Sequence, residues 1–163
     1  MAIEKTRAAL EKFGVQSRIR EFDVSSATVA LAAKALGCDA ARIAKTLSFR
    51  FGGGALLIVA AGDAKIDNAK FKARFHQKAA MLRPDEVEPL TGHAIGGVCP
   101  FGNPDGVQVY LDDSLKRFAT VFPACGSANS AIELTIGELE RYAGALGWVD
   151  VCKGWQEQAK TNE

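Results

Sequence analysis

A glycine-rich segment, 92–102, contains the residues of this sequence whose types and spacing are best suited to chemistry. It reads GHAIGGVCPFG, with four glycines and one proline in eleven residues. That composition excludes a helix, and Pro100 cannot donate to a strand ladder. The segment also contains isoleucine, valine and phenylalanine, which are too apolar for an idle surface loop. It therefore predicts a partly buried loop that forms one wall of a binding pocket.

The chemistry of such a loop would come from its backbone. Glycine lets N–H groups approach a ligand closely, and several N–H groups together can bind a carbonyl oxygen that gains negative charge during acyl hydrolysis. The candidate donors are Gly96, Gly97, Val98 and Cys99. The alternative is a tight turn between two strands, which would have no role in binding.

The same segment offers a candidate nucleophile, because Cys99 and His93 could act as a cysteine–histidine pair. Nothing in the sequence places the two side chains together, and no third residue that would orient them is evident. A free cysteine more often behaves as a small hydrophobic residue, and we expect the same of Cys38, Cys125 and Cys152.

Lys45 and Thr46 stand where a predicted helix meets a predicted strand. A lysine there can bind a phosphate or a carboxylate as a point charge, or it can simply end a strand in solvent. A second loop of small residues, 125–130, reads CGSANS. Its Asn129 and Ser130 suit the binding of hydroxyl or amide groups of a ligand, although a hairpin turn has the same composition.

A run of basic residues extends from Asp63 to Arg83. It contains six lysines and arginines against two aspartates. Such a run fits phosphate contacts to a nucleic acid, with Lys65, Lys70 and Lys72 as the candidates. A helix face in contact with solvent is the simpler interpretation.

The bulk composition limits these interpretations. The chain has 163 residues, of which 48% are hydrophobic and 24% charged, so one domain with a sizeable core is expected. A net charge of +1 requires that any nucleic-acid surface be local. The four cysteines show no metal-site spacing, and no signal peptide or membrane span is visible. We therefore expect a cytoplasmic protein with reduced thiols, no metal, no cofactor and no membrane partner.

Apolar periodicity predicts an irregular alternation of helices and strands. Helices are expected over 3–13, 28–36, 40–44, 68–75 and 85–90, and after Thr135, which with Glu138 forms a capping box. Ser25 or Ser26 would cap the second helix and Asp67 the fourth. Strands are expected over 15–22, 45–51, 55–61, 107–111, 118–124 and 131–134, with a hairpin between the second and third. One α/β domain on a mixed sheet follows, spanning 1–150, with a polar tail over 151–163.

Four motifs in order give the chain a resemblance to a known family. They are KTL at 45–47, AGD at 61–63 with Asp67, GGVCPFG at 96–102, and ACG at 124–126 leading to IEL at 132–134. In these residues the chain resembles the YbaK/EbsC family, which includes the editing domain inserted in bacterial prolyl-tRNA synthetases. The resemblance covers roughly residues 5–145. It implies a mixed, partly barrel-like sheet flanked by helices.

The resemblance also implies an activity. Members of this family hydrolyse the ester of a mischarged aminoacyl-tRNA, with water as the nucleophile and assistance from the terminal hydroxyls of the substrate. Lys45 matches the family lysine that is thought to hold the terminal adenosine region, and Gly96 and Pro100 match the loop that lines the aminoacyl pocket. The implied partners are an aminoacyl-tRNA and, where one is required, an aminoacyl-tRNA synthetase.

Two positions depart from the family pattern. The loop residue before the proline is often serine in the relatives and is Cys99 here. Members that clear cysteinyl-tRNA carry an acidic residue where this chain has Ala131, which counts against cysteine. The expected acyl group is a small amino acid of the alanine, serine, threonine or cysteine class.

These observations together predict a trans-acting aminoacyl-tRNA deacylase. A non-catalytic tRNA- or synthetase-binding module of the same fold and a hydrolase that depends on Cys99 are the alternatives. Catalysis is expected of Lys45, Gly96 and Gly97. Substrate binding is expected of Thr46, Asp63, Val98, Cys99, Pro100, Gly126, Asn129 and Ser130. Contacts to tRNA are expected of Lys65, Lys70 and Lys72.

Overall fold

The computed structural model of the protein describes residues 2–155, and its elements alternate irregularly along the chain. The α-helices are α1 (Ala2–Glu11), α2 (Val29–Leu36), α3 (Asn68–Phe75), α4 (Pro84–Thr91) and α5 (Ile136–Ala143). The strands are β1 (Arg20–Glu21), β2 (Ile43–Phe51), β3 (Gly54–Ala61), β4 (Lys65–Ile66), β5 (Gln108–Asp112), β6 (Thr120–Pro123), β7 (Ser130–Ala131), β8 (Leu134–Thr135), β9 (Gly147–Val149) and β10 (Cys152–Lys153). Short 3-10 helices span Gln16–Arg18, Ala40–Arg42 and Asp113–Arg117.

Six of these strands form one curled sheet in the order β8-β6-β2-β3-β5-β9. The sheet is mixed, because β2 pairs antiparallel with β3 and parallel with β6, while β3 and β9 both run parallel to β5. Two further antiparallel pairs, β1 with β7 and β4 with β10, lie outside it. The predicted α/β fold, with a mixed and partly barrel-like sheet flanked by helices, is confirmed.

The predicted hairpin of β2 and β3 is present, and the two strands lie in the middle of the six-stranded sheet. Its register runs from Ala44 opposite Ala61 to Phe51 opposite Gly54. Every residue from 55 to 61 is at most 3% exposed, so β3 is buried on both faces. A continuous apolar run of this length is typical of such a strand.

Two helix starts follow the caps that the sequence predicts. The carboxylate of Asp67 accepts hydrogen bonds from the first N–H groups of α3. Thr135 and Glu138 form a capping box at the start of α5, in which each side chain accepts a hydrogen bond from the N–H of the other residue. These caps fix the helices that cover the sheet.

The start of α2 differs from the prediction. Thr28 caps this helix by accepting a hydrogen bond from the N–H of Leu31. The predicted caps, Ser25 and Ser26, instead donate their hydroxyls to the carbonyl of Ala128, on the loop before β7. The serines are thus held by a distant loop rather than by the helix, a contact that a local pattern does not reveal.

Three predicted elements are shorter than their sequence patterns because their residues have different partners. In the predicted strand 15–22, only β1 pairs, and its partner is β7. The predicted strand 131–134 divides, because β7 pairs with β1 whereas β8 pairs with β6. The predicted helix 40–44 is reduced to the 3-10 helix Ala40–Arg42, since the next two residues pair with β6.

The C-terminal part of the described chain belongs to the folded unit. Val151 and Cys152 are fully buried, and β10 pairs with β4. The core therefore continues past residue 150, where the polar tail is predicted to begin. The remainder of that tail, 156–163, lies outside the described residues. No helix within residues 2–155 is long and apolar enough to cross a membrane.

Candidate active site

A cavity of about 330 Å³ lies between β2, the glycine-rich segment 92–102 and a wall formed by parts of 26–29 and 122–131. Its lining is mostly aliphatic, with a few polar groups, which is the usual composition of a small-molecule site. Within residues 2–155, Lys45 is the one charged residue that lines it. Five of the predicted site residues line this cavity, and they are Lys45, Thr46, Gly96, Val98 and Ser130.

One face of β2 forms the floor of the cavity. Ala44, Thr46 and Ser48 all line it, as expected for residues two positions apart on a strand. The hydroxyl of Thr46 is buried and has no hydrogen-bond partner among the described residues. An unpaired buried hydroxyl costs free energy, so its presence on a cavity wall indicates that a polar group of a ligand forms a hydrogen bond with it. Ser48 was not among the predicted site residues, although the alternation that places Thr46 on this face could have identified it.

The glycine-rich segment forms a second wall. Gly96 has a φ of +87°, which a residue with a side chain rarely adopts. The N–H of Gly97 donates to the carbonyl of Ala94 at 2.9 Å, so it is not available to a ligand. The N–H groups of Gly96 and Val98 have no acceptor within residues 2–155, and both residues line the cavity. The free donors are therefore the two on either side of Gly97.

Gly97 has a packing role instead. A Cβ atom at this position would lie 2.7 Å from the carbonyl oxygen of Gly126. The glycine-rich segment and the 125–130 loop therefore meet backbone to backbone, which requires the absence of a side chain at residue 97. Neither Gly97 nor Gly126 lines the cavity, but their contact sets the separation of two of its walls.

The 125–130 loop is bound to the segment before α2. The N–H of Phe22 donates to the carbonyl of Asn129 at 2.8 Å, and the side-chain amide of Asn129 donates back to Phe22. The N–H of Ser26 donates to the carbonyl of Ala128 at 2.6 Å. Asn129 is thus used to hold the chain and does not line the cavity, whereas Ser26 does. The contribution of residues 26–29 to the site was not predicted, because it depends on this long-range pairing.

Lys45 enters the site from β2, and its ammonium is held by backbone carbonyls. Its Nζ donates to the carbonyl of Gly62 at 3.4 Å and also to that of Ala64. No carboxylate forms an ion pair with it in the described part of the chain. Burial lowers the pKa of this ammonium below that of an ordinary lysine. Since an ammonium has three N–H donors, one remains for a ligand.

The turn that supplies these carbonyls is tightly packed. A Cβ atom on Gly62 would lie 2.0 Å from the carbonyl oxygen of Ala40, so only glycine fits there. Between the two carbonyls, the carboxylate of Asp63 is paired with both terminal nitrogens of Arg117. Asp63 does not line the cavity, and its carboxylate is already occupied. Asp63, a predicted substrate-binding residue, therefore holds the turn that positions Lys45.

Cys99 and His93 lie close together but away from the cavity. The Sγ of Cys99 is 3.6 Å from Nε2 of His93 and 3.2 Å from the hydroxyl of Thr6. Nε2 also lies 2.8 Å from the carbonyl oxygen of Phe101, and because a carbonyl only accepts, this nitrogen carries the proton and cannot take one from the thiol. Cys99 is fully buried, and burial raises the pKa of its thiol to about 11.

These contacts exclude the two residues from the chemistry. Cys99 is a core residue rather than a nucleophile, and the hypothesis of a Cys99-dependent hydrolase is wrong. Pro100 is also buried and does not line the cavity. Within residues 2–155, no three His, Cys, Asp or Glu side chains stand close enough to hold a metal ion.

The three predicted tRNA-binding lysines lie outside the cavity. Lys70, on α3, is paired with Asp150 at 3.0 Å and donates to the carbonyl of Cys152. Lys65, on β4, and Lys72, on α3, are exposed and form no ion pair with another described residue. Lys65 and Lys72 are therefore the two lysines of this group that can bind a polyanion without breaking an ion pair.

Residues 24–142 match the aminoacyl-tRNA editing domain family, and this span contains all the residues that line the cavity. The chain is 54% identical over 157 residues to the uncharacterised protein YwhH of Bacillus subtilis (strain 168). The aligned region covers 96% of this chain and 100% of YwhH. It is similar in structure to a candidate trans-editing enzyme for prolyl-tRNA synthetase, with a TM-score of 0.84, 31% identity, and coverage of 94% of this chain and 98% of the other. The hypothetical protein APE2540 is also similar, with a TM-score of 0.76, 28% identity, and coverage of 89% and 99%.

Proposed function

Because the chain belongs to the aminoacyl-tRNA editing domain family, we propose that it hydrolyses the ester of a mischarged tRNA in trans. The observation that carries the proposal is the set of unused hydrogen-bonding groups in one mostly aliphatic cavity. These groups are the N–H of Gly96, the N–H of Val98 and the hydroxyl of Thr46. An aminoacyl ester offers a carbonyl oxygen for the two N–H groups and an amino group for the hydroxyl.

The two N–H groups would act on the ester carbonyl. As water attacks the carbonyl carbon, negative charge develops on the carbonyl oxygen, and fixed N–H donors stabilise that charge without reorganising. The acyl C–O bond then breaks, the ribose hydroxyl recovers a proton, and the products are a free amino acid and an intact tRNA. No Asp, Glu, His or Cys among the described residues lines the cavity, so we assign the proton transfer to the neighbouring ribose hydroxyl of the substrate, which takes the water proton as it passes its own proton to the leaving ribose oxygen.

The floor of the cavity would bind the amino acid. Thr46 accepts a hydrogen bond from the substrate amino group, a group common to every aminoacyl ester. The residues two positions away along β2, Ala44 and Ser48, are small and line the same cavity, as does Ser130. This lining favours a small acyl group of the alanine, serine, threonine or cysteine class.

The cations would hold the nucleic acid. Two carbonyls hold the ammonium of Lys45, and its remaining N–H would donate to a phosphate near the end of the tRNA. Lys65 and Lys72 would contact phosphates farther along the acceptor stem, and their contribution would fall as salt is added. A protein with these substrates is expected in the cytoplasm, with or without a bound synthetase.

The test is a panel of tRNA molecules charged with alanine, serine, threonine, cysteine or proline. With the protein at a concentration far below that of the substrate, we expect repeated release of amino acid from at least one of the first four. A tRNA correctly charged with proline is the control and should keep its ester. If none of the mischarged substrates is turned over, the proposal is wrong.

A non-catalytic tRNA-binding module of the same fold is the second candidate. It is favoured by one observation, the lack of a carboxylate, histidine or cysteine side chain on the cavity lining of residues 2–155. This candidate predicts salt-dependent binding of tRNA without cleavage of the ester. Measuring binding and ester loss on the same samples separates the two functions.

A further inference from the structure

Two large apolar side chains on the cavity lining, Met81 and Ile95, are mostly exposed to solvent. Met81 is 56% exposed and Ile95 is 63% exposed, yet both line the cavity. A side chain that lines a cavity and is more than half exposed lies where the cavity meets solvent. Because both side chains line the same cavity, together they offer an apolar surface that a ligand in the cavity can cover.

The backbone holds both residues in place. Met81 lies between two ladder hydrogen bonds to β2, from the N–H of Arg50 to the carbonyl of Ala80 at 2.8 Å and from the N–H of Leu82 to the carbonyl of Ser48 at 3.1 Å. Ile95 lies inside the turn that the hydrogen bond from Gly97 to Ala94 closes. The backbone of both residues is therefore fixed, while the unbranched Met81 side chain can adapt to a flat surface.

The distribution of charge limits what can cover this mouth. Among residues 2–155, the one charged residue on the cavity lining is Lys45, whose ammonium is directed to carbonyls at the end of β3. No cation of the cavity lining lies at Met81 or Ile95, and the two arginines nearest to Met81, Arg50 and Arg83, are already paired with the carboxylate of Glu86. The occupant must be uncharged, flat or apolar, and connected to whatever group lies beside Gly96.

We propose that Met81 and Ile95 form a clamp for the terminal adenine base of an aminoacyl-tRNA, an inference that rests on the proposed function. With the ester carbonyl at the N–H groups of Gly96 and Val98, the acyl group points to the floor and the adenosine lies outside it, beside Ile95. The base is the uncharged, flat part of that nucleoside, so it can cover both side chains. The clamp would select an ester of adenosine over the same ester of another alcohol.

The test measures binding with compounds that cannot be hydrolysed. One is 3′-alanylamino-3′-deoxyadenosine, and the other is the same aminoacylated sugar without its base. Isothermal titration calorimetry should show that loss of the base weakens binding to the wild-type protein about tenfold, the value expected for covering two such side chains. In the variant Met81→Ser with Ile95→Ser, the two compounds should bind equally, with the affinity of the compound without a base unchanged.

A matched control is available at Leu146, which is 62% exposed and does not line the cavity. Leu146→Ser should keep the tenfold preference, and thermal unfolding should show that all variants are folded. The single variants Met81→Ser and Ile95→Ser should each lose part of the preference.

Several outcomes would overturn the clamp. The first is an equal affinity of the wild-type protein for both compounds, and the second is no binding of either compound. The third is a double variant in which the affinities for both compounds fall by the same factor. The last would mean that the two side chains act on the aminoacylated sugar that both compounds share, and not on the base. Since binding does not require hydrolysis, a base preference without deacylation would reject the proposed function alone. Deacylation without a base preference would reject the clamp alone.

Discussion

Arg117 and Asp63 form a two-pronged ion pair, with N···O distances of 2.9 and 2.5 Å between the guanidinium and the carboxylate. Both side chains are only 18% exposed, and the guanidinium also contacts the rings of Phe118 and Trp155. Asp63 stands between the two residues whose carbonyls hold the ammonium of Lys45. The pair therefore fixes the turn on which the position of Lys45 depends.

Removing the guanidinium should weaken both the fold and the site. We expect Arg117→Ala to lower the free energy of unfolding by about 2 kcal/mol, because it leaves a mostly buried carboxylate without its partner. The second-order rate constant kcat/KM for ester hydrolysis should fall about tenfold as the turn loosens. Urea unfolding and initial rates measure the two effects. As a control, Arg7→Ala breaks an exposed ion pair with Glu21 and should cost about 0.5 kcal/mol or less. Similar losses of stability in both variants would contradict this account.

The pH dependence of binding should report the buried environment of Lys45. Burial lowers the pKa of its ammonium, so the charged form is present below that lowered pKa and is lost as the pH rises through it. Affinity for the non-hydrolysable alanylamino analogue carrying a 5′-phosphate should therefore decline at a lower pH than an ordinary lysine would give. Lys45→Arg, which stays charged, should move the decline to higher pH. An identical profile for the two proteins would show that Lys45 does not control binding.

The hydroxyl of Thr46 should matter to the substrate and not to the fold. It is buried without a partner, so we expect Thr46→Val to leave the free energy of unfolding unchanged or to raise it by up to about 1 kcal/mol. The same change should lower kcat/KM about tenfold, because the substrate amino group loses its acceptor. Thr46→Ser keeps the hydroxyl and should keep most of the activity. Full activity in Thr46→Val would show that the hydroxyl of Thr46 does not bind the substrate.

The contact between Gly97 and Gly126 should be intolerant of a methyl group. In Gly97→Ala the new Cβ would lie 2.7 Å from a carbonyl oxygen, so the two loops must separate, at a cost of about 1–3 kcal/mol. Gly137→Ala is the matched control, since nothing lies within 4 Å of its Cβ and the residue is on α5. It should stabilise the protein by up to about 1 kcal/mol. Equal stability of the two variants would contradict the packing role of Gly97.

The local parts of this architecture could be predicted from the sequence. The continuous apolar run at 55–61 identifies the buried strand β3, and Asp67 and Thr135 identify two helix starts. The structure does require glycine at 96, where φ is positive, and at 97, where a side chain has no space beside Gly126.

The long-range parts of the site could not be predicted. A strand pattern shows which face is apolar but not which strand is the partner, so the pairing of β1 with β7 was missed and with it the wall at 26–29. Arg117 and Asp63 are 54 residues apart, and the sequence around each residue does not indicate that they pair. Gly97 was expected to donate to a ligand, and only the fold shows that its N–H is used by the turn.

The central claim is that this cavity hydrolyses the ester of a mischarged tRNA, and it is tested most directly by comparing wild-type protein with Lys45→Ala on the best substrate of the panel. We predict multiple turnovers by the wild-type protein and a fall in kcat/KM of about 100-fold in the variant, the size expected for losing a charge-assisted contact. Unfolding by urea should show a loss of at most about 1 kcal/mol, since the variant loses two hydrogen bonds to carbonyls together with a half-buried charge. No turnover by the wild-type protein, or equal rates for the two proteins, would contradict the account.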